Sequence, residues 1–283
     1  MCYQVSPMIR RLIVPTLVVL GLAACSGTPE PPATTTTTST TQPPTAQDLI
    51  ALENKPGATA PLTDAVEPAP PPVPGLPGTP ETSPAYGPTT AAVYIYVLSD
   101  FQCPVCRRVV EPLKHLARAY PNDVRVIFKH NALASHGRAA RLAAASIAAF
   151  RQGKFWAYHD RLFVDFGRDD DDTLVRNATD LGLDAAKFQR DMEEEAVTAQ
   201  VKYETELAKH FGLESTPGFI VNGNAHAGWG SYMSLDGIVQ RELARAKKVA
   251  ESGVPADKVA CESMRQSPGR GQELAQALCP AAK

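Results

Sequence analysis

The sequence has no surplus of basic charge: 28 Lys and Arg stand against 30 Asp and Glu, a formal net charge of -2. A nucleic-acid binder needs the opposite balance to neutralise phosphates, so nucleic acid is excluded as a partner class. Cysteine is scarce, with six in 283 residues. Only Cys103 and Cys106 stand at the two-residue spacing that zinc-binding chains repeat. Zinc would need further ligands, and Cys261, Cys279, His130 and His136 repeat no paired spacing, so no metal is expected. The apolar run Leu12 to Leu22 is too short to favour a membrane span. Large apolar residues are sparse from Ser26 to about Pro88, where Thr, Pro, Ala and Gly prevail. Nothing there offsets the entropy of ordering, so the stretch reads as a tether, reaching on the order of 40 to 50 Å r.m.s. as a coil.

What is present begins with a leader. Arg10 and Arg11 precede Leu12 to Leu22, the layout of a signal peptide over residues 1–24, and Met8 opens a tidier leader than the residues before it, Cys2 included. Leu22-Ala23-Ala24-Cys25 resembles the lipobox of bacterial lipoproteins. That resemblance implies cleavage before a lipidated Cys25, with a membrane anchor and a disordered tether over residues 25–90. Ser26, rather than Asp, resembles outer-membrane sorting. The expected location is the periplasmic side of the envelope, outer membrane favoured over inner.

The remaining residues predict one α/β domain over 91–252. Val93 to Leu98 is apolar on both alternating faces, as a strand covered on both sides requires. After the turn Ser99-Asp100-Phe101-Gln102, the residues Cys106, Val109, Val110, Leu113, Leu116, Ala117 and Tyr120 recur at helical spacing, with Pro112 expected to kink the helix. Val124 to Phe128 completes a βαβ unit. From about 135 to 212 the periodicity is helical throughout, an inserted helical subdomain with Phe155, Trp156, Tyr158, Leu162 and Phe163 as its core. The acidic run Asp169 to Asp172 reads as a solvated helix start. Phe219 to Val221, the turn Asn222-Gly223 and Ala225 to Trp229 read as a hairpin, and Ser234 as the cap of a long helix. Residues 253–283 predict a C-terminal helical hairpin extension.

The chemistry lies in Cys103-Pro104-Val105-Cys106, where a strand feeds a helix. Unpaired N–H groups at a helix start carry partial positive charge, which stabilises a Cys103 thiolate and makes it an exposed nucleophile. Pro104 suits the first turn, where its missing N–H has no partner to lose. Cys106, one turn on, resolves the mixed disulfide that Cys103 forms with a client. No cofactor is needed beyond the redox-active disulfide Cys103–Cys106 itself. An inert structural disulfide is the alternative reading.

The segment Ser99 to Cys106 resembles the active-site segment of DsbA-like thioredoxin-fold proteins, and Ser215-Thr216-Pro217-Gly218-Phe219 resembles that family's cis-proline loop. The resemblance spans about Val93 to Lys248, including Gly153-Lys154-Phe155-Trp156. It implies a thioredoxin-like fold, with central sheet and helical insertion, and thiol-disulfide oxidoreductase activity. It also implies a cis bond at Pro217, with Thr216 presenting a strand edge to client peptides. Clients would be exported proteins with cysteines, regenerated by an envelope redox partner. Strong oxidants of the family carry histidine between the cysteines; Val105 implies a milder one. Isomerases of the group add an N-terminal dimerisation domain, whereas this N-terminal region is a low-complexity tether, so an isomerase is disfavoured and a monomer is expected. Lys129, His130 and Asp100 fall near enough to tune the thiolate, without a sequence signal that they face it.

With Cys25 acylated and Cys2 removed, Cys261 and Cys279 are left to pair in an oxidising compartment, a staple for the terminal hairpin contributing about 3 kcal/mol. Two rival functions remain in sequence terms. A copper(I) metallochaperone could use the two thiolates, although no methionine or histidine neighbours the motif. A non-catalytic envelope binding module would keep the disulfide purely structural.

Overall fold

The computed structural model describes residues 83–279. The leader, Cys25 and the tether up to residue 82 lie outside the described residues. The frame is a five-stranded mixed sheet. Strands β1 (Ala85–Tyr86), β2 (Val93–Ser99), β3 (Val124–His130), β4 (Gly218–Val221) and β5 (Asn224–Ala227) lie in the order β1-β3-β2-β4-β5. Strands β2 and β3 pair in parallel, with Val93 opposite Val124 and Ser99 opposite His130, and are joined by helix α1 (Pro104–Ala119). All seven residues of β2 are buried, which is why its sequence is apolar on both faces. Pro112 lies inside α1, and the helix continues through it.

Five helices fill the chain between β3 and β4: α2 (Ala139–Phe150), α3 (Phe155–Val164), α4 (Asp171–Asp180), α5 (Ala185–Glu193) and α6 (Glu195–His210). The expected separate core of this insertion is corrected. Phe155, Tyr158, Leu162 and Phe163 are buried in the same cluster as Val97, Val126 and Phe128 of the sheet and Cys106 and Val109 of α1, with Trp156 against it. The insertion thus closes one face of the sheet, and its aromatic residues reach the underside of the Cys103 loop.

Three boundaries also differ from the sequence reading. The expected tether to residue 90 ends earlier, because Ala85 and Tyr86 form an edge strand paired with Ile127 and Val126. Phe128 N–H donates to the Pro84 carbonyl, and Tyr86 meets Trp156 edge-on at 4.6 Å. Two strand residues among Pro, Gly and Ser carry no readable alternation. Ser231, not Ser234, caps helix α7 (Tyr232–Glu251): its hydroxyl accepts from the Ser234 N–H, as an N-cap side chain reaching N3 does.

The third concerns the C-terminal residues, which are no appendage. Helices α8 (Val259–Arg265) and α9 (Gly271–Leu278) cover the opposite face of the sheet, where Met264, Leu274 and Leu278 join Tyr94, Tyr96, Leu98 and Ile220. Cys261 and Cys279 are joined, Cα to Cα 5.8 Å. The β4–β5 turn explains the close fit. Asn222 and Gly223 both have positive φ, as a type I′ hairpin turn demands, and a Cβ on Gly223 would meet Met264 and Ser267 at 2.9 Å. Among the described residues no helix is long and apolar enough to cross a membrane.

Candidate active site

Cys103 occupies the N-cap position of α1, with β-region φ and ψ, and Pro104 follows as the first helical residue. The helix starts here because Pro104 cannot continue a ladder, and because Asp100 ties the preceding loop. Asp100 is buried; its Oδ1 accepts from the Gln102 N–H at 2.8 Å, and its Oδ2 from the Leu133 N–H and His136 Nδ1, each at 2.9 Å. Phe101 turns beneath the loop between Phe128 and Phe163, with ring centroids at 5.5 and 5.1 Å.

The opposite wall is the loop before β4. The Thr216–Pro217 peptide is cis, and the Thr216 carbonyl lies 3.4 Å from Cys103 Sγ, accepting from the thiol. The sequence expectation of an exposed nucleophile is corrected: Cys103 is only 5 % exposed, because this loop lies over it. Any group approaching the sulfur must therefore pass the Thr216–Pro217 edge.

The two thiols differ sharply. Cys103 is held low, at about 5, chiefly by a hydrogen bond from the Cys106 thiol. Burial opposes this, and the Thr216 side chain and the Cys106 and Val105 N–H groups add to it. The Thr216 hydroxyl is buried with no other partner, free to donate to a thiolate that the neighbouring carbonyl cannot stabilise. Cys106 is 1 % exposed, and its thiol is pushed well up, first by burial and then by Cys103. One sulfur is set to be a thiolate and its neighbour a buried thiol that supports it.

Sequence reasoning missed how the loop is tied to the insertion. Gln102, immediately before Cys103, donates from Nε2 to Asp169 Oδ2 at 2.5 Å and accepts at Oε1 from the Arg138 N–H at 2.7 Å. Arg138 in turn donates to the Asp169 carbonyl from Nε and Nη2. The acidic run read as solvated surface is therefore split. Asp170 caps α4 by accepting from the Thr173 N–H, while Asp169 reaches back 67 residues to the active-site loop. No periodicity could have marked that contact.

Lys129 and His130 face Glu204 of α6 rather than the sulfurs. Lys129 Nζ lies 3.4 Å from Glu204 Oε1, and His130 Nδ1 lies 2.6 Å from Oε2. Their role is to pin the insertion to β3. Among the described residues no three His, Cys, Asp or Glu side chains gather as metal ligands would.

Solved structures of known proteins share this fold. The thioredoxin-like oxidoreductase from Silicibacter pomeroyi DSS-3 is 32 % identical, over 59 % of this chain and 92 % of that one, with a TM-score of 0.52. BdbD from Bacillus subtilis (20 % identity, 60 % and 98 % covered, TM-score 0.52) and the thiol-disulfide exchange protein α-DsbA2 from Wolbachia pipientis (18 %, 56 % and 87 %, 0.52) share the fold. Curated relatives include the Na(+)/H(+) antiporter NhaA 3 of Salinispora tropica, 30 % identical over 60 % of this chain. NhaA of Herminiimonas arsenicoxydans is 31 % identical over 51 %. The chain spans only about a quarter of those relatives' length, 26 % and 23 %. The thioredoxin family profile matches residues 79–241, more than half of the sequence, and the chain belongs to that family.

Proposed function

We propose that this protein is a thiol-disulfide oxidoreductase of the cell envelope, anchored through a lipidated Cys25, that exchanges disulfides with exported client proteins. The observation that carries this is the split between the two thiols at the start of α1: Cys103 drawn down to about 5, Cys106 buried and pushed up. The Cys103 thiolate attacks a client disulfide and forms a mixed disulfide; Cys106 then attacks Cys103 Sγ and releases the client. In the reverse direction a client thiolate attacks Cys103, and Cys106 departs. The Thr216–Pro217 edge is the surface a client backbone meets, because it lies over the sulfur.

The thiol split also bears on direction. Cys103 lies at about 5, below its ordinary 9.0, so the ionisation favours the folded, reduced form. That contribution is fully present above about pH 9 and is lost as pH falls through about 5. Stabilising the reduced form makes the disulfide a better oxidant. Equilibrating the full chain with reduced and oxidised glutathione tests this. Cys103 and Cys106 are expected to convert together at a potential more oxidising than thioredoxin's, about -270 mV. A pair that does not convert, or converts at a more reducing potential, contradicts it.

The anchor rests on the Leu22-Ala23-Ala24-Cys25 motif alone. Palmitate label is expected on the full chain in bacterial cells and absent from a Cys25→Ala variant; a native chain that takes up no label removes the anchor. Ser26 favours the outer membrane, and an envelope redox protein would regenerate the pair. No ion transport is carried over from the antiporters, of which the chain matches about a quarter.

A further inference from the structure

Resting on the proposed exchange, one proton has to be placed. When Cys106 attacks the mixed disulfide its S–H bond must break, yet the residue is 1 % exposed and its thiol is pushed up by burial. Cys103 cannot take the proton, since its sulfur is then bonded to the client. A small cavity with room for about one water molecule is lined by Cys106, Ser99, Lys114, His159 and Tyr86 among apolar side chains. The Ser99 side chain hydrogen-bonds Cys106.

Within that lining His159 has a lone pair to offer. Its Nδ1 lies 3.0 Å from Asp160 Oδ1. Burial raises the Asp160 carboxyl, but His159 and Lys114 outweigh it and hold it low, and an ionised carboxylate only accepts. Nδ1 therefore carries the hydrogen and Nε2 the lone pair. Burial holds His159 itself below its ordinary range, so the ring rests neutral and Nε2 keeps its lone pair. The other groups facing it are less suited. From α1, Lys114 donates to Asp160 at 2.7 Å and approaches Glu111 at 3.4 Å. From β1, the Tyr86 phenol is pushed up by burial. From β3, His130 has both ring nitrogens engaged, by Glu204 at 2.6 Å and Ser146 at 2.8 Å.

We propose that His159 Nε2 is the proton acceptor for Cys106, reached through this cavity, with Asp160 holding the ring and stabilising the imidazolium that forms. The electron pair of the Cys106 S–H bond forms the new bond to Cys103 Sγ. The Cys103–client S–S bond breaks, and its pair leaves on the client sulfur as thiolate. The proton passes to His159. The client sulfur is reduced, and the two cysteines end as a disulfide. The arrangement resembles a histidine base oriented by a carboxylate, with a thiol as its object.

The test uses the full chain carrying Cys2→Ser and Cys25→Ser, reduced at Cys103 and Cys106 with the Cys261–Cys279 disulfide intact, and the aromatic disulfide 5,5′-dithiobis(2-nitrobenzoate). It releases one coloured thiolate when Cys103 attacks and a second when Cys106 closes the ring. In His159→Gln the first phase is expected to keep its rate, and the second to slow by about 10²-fold or more at neutral pH, recovering as pH rises. Asp160→Asn is expected to slow the second phase likewise. A second phase with unchanged rate and pH profile in His159→Gln overturns the proposal while leaving the exchange reading intact. Absence of both phases in the chain with His159 and Asp160 intact defeats the exchange reading itself. Should both variants fail to fold, that chain in heavy water decides: slowing confined to the second phase supports proton transfer there, and equal slowing of both phases overturns it.

Discussion

A Cys106→Ser chain accumulates mixed disulfides with client proteins, and these vanish when Cys103 is also replaced. The reason is geometric. Cys106 sits one turn below Cys103, buried and hydrogen-bonded to it, so it attacks as an intramolecular neighbour. Well-oriented intramolecular groups behave as if present at about 10⁵ M or more. An external thiol at millimolar concentration is a poor substitute, and release is expected to slow by more than about 10³-fold. Non-reducing electrophoresis of cells expressing the variant reads the adducts directly. The inert-disulfide reading expects none, since a structural pair exchanges with nothing. A Cys106→Ala substitution instead removes the donor that does most to hold the Cys103 thiolate low, so in that chain the remaining thiol is expected to titrate higher than in the native pair.

The second large effect is on stability. Glu204 is 1 % exposed, and it accepts from the His130 N–H at 2.8 Å, His130 Nδ1 at 2.6 Å, Lys129 Nζ at 3.4 Å and Gln200 Nε2 at 3.3 Å. Burial raises its carboxyl, but the Lys129 and His130 charges and the His130 hydrogen bonds outweigh it and hold it at about 2. Replacing Glu204 with Gln leaves Lys129 buried without its counter-charge, a loss of about 3–5 kcal/mol by analogy with broken buried pairs. Tm is expected to fall on the order of 10 °C. The folded carboxyl lies below its ordinary value of 4.5, so its contribution is present above about pH 4.5 and is lost as pH falls through about 2. Glu204→Gln should therefore remove part of the wild-type chain's acid destabilisation. A paired Lys129→Met, Glu204→Gln replacement is expected to recover much of the loss, because it removes the uncompensated ammonium while the amide oxygen still accepts from the His130 N–H. Calorimetry as a function of pH measures all three; equal melting temperatures for wild type and Glu204→Gln would show that the network contributes nothing.

Local signals were legible in the sequence because they are short-range. The apolar β2, the Asn222-Gly223 turn and the cysteine pair at a helix start all announce themselves within a few residues. The Thr216–Pro217 loop was reachable only by resemblance, since no local pattern separates a cis from a trans proline. Contacts across long stretches of chain were not legible. Gln102 meets Asp169, and Lys129 meets Glu204, through separations of 67 and 75 residues that only the packed insertion closes. Asp169 looks like surface in the sequence, because charge patterning cannot say which carboxylate has been given a buried partner. The C-terminal hairpin posed the opposite difficulty: its helices were readable, but their work as the cover of the second sheet face was not.

The thiolate of Cys103 is the quantity on which the chemistry turns. Following its ultraviolet absorbance against pH in the reduced full chain, with Cys103→Ser as the blank, is expected to give a midpoint at about 5. A midpoint near the ordinary cysteine value of 9.0 would contradict a sulfur prepared for exchange.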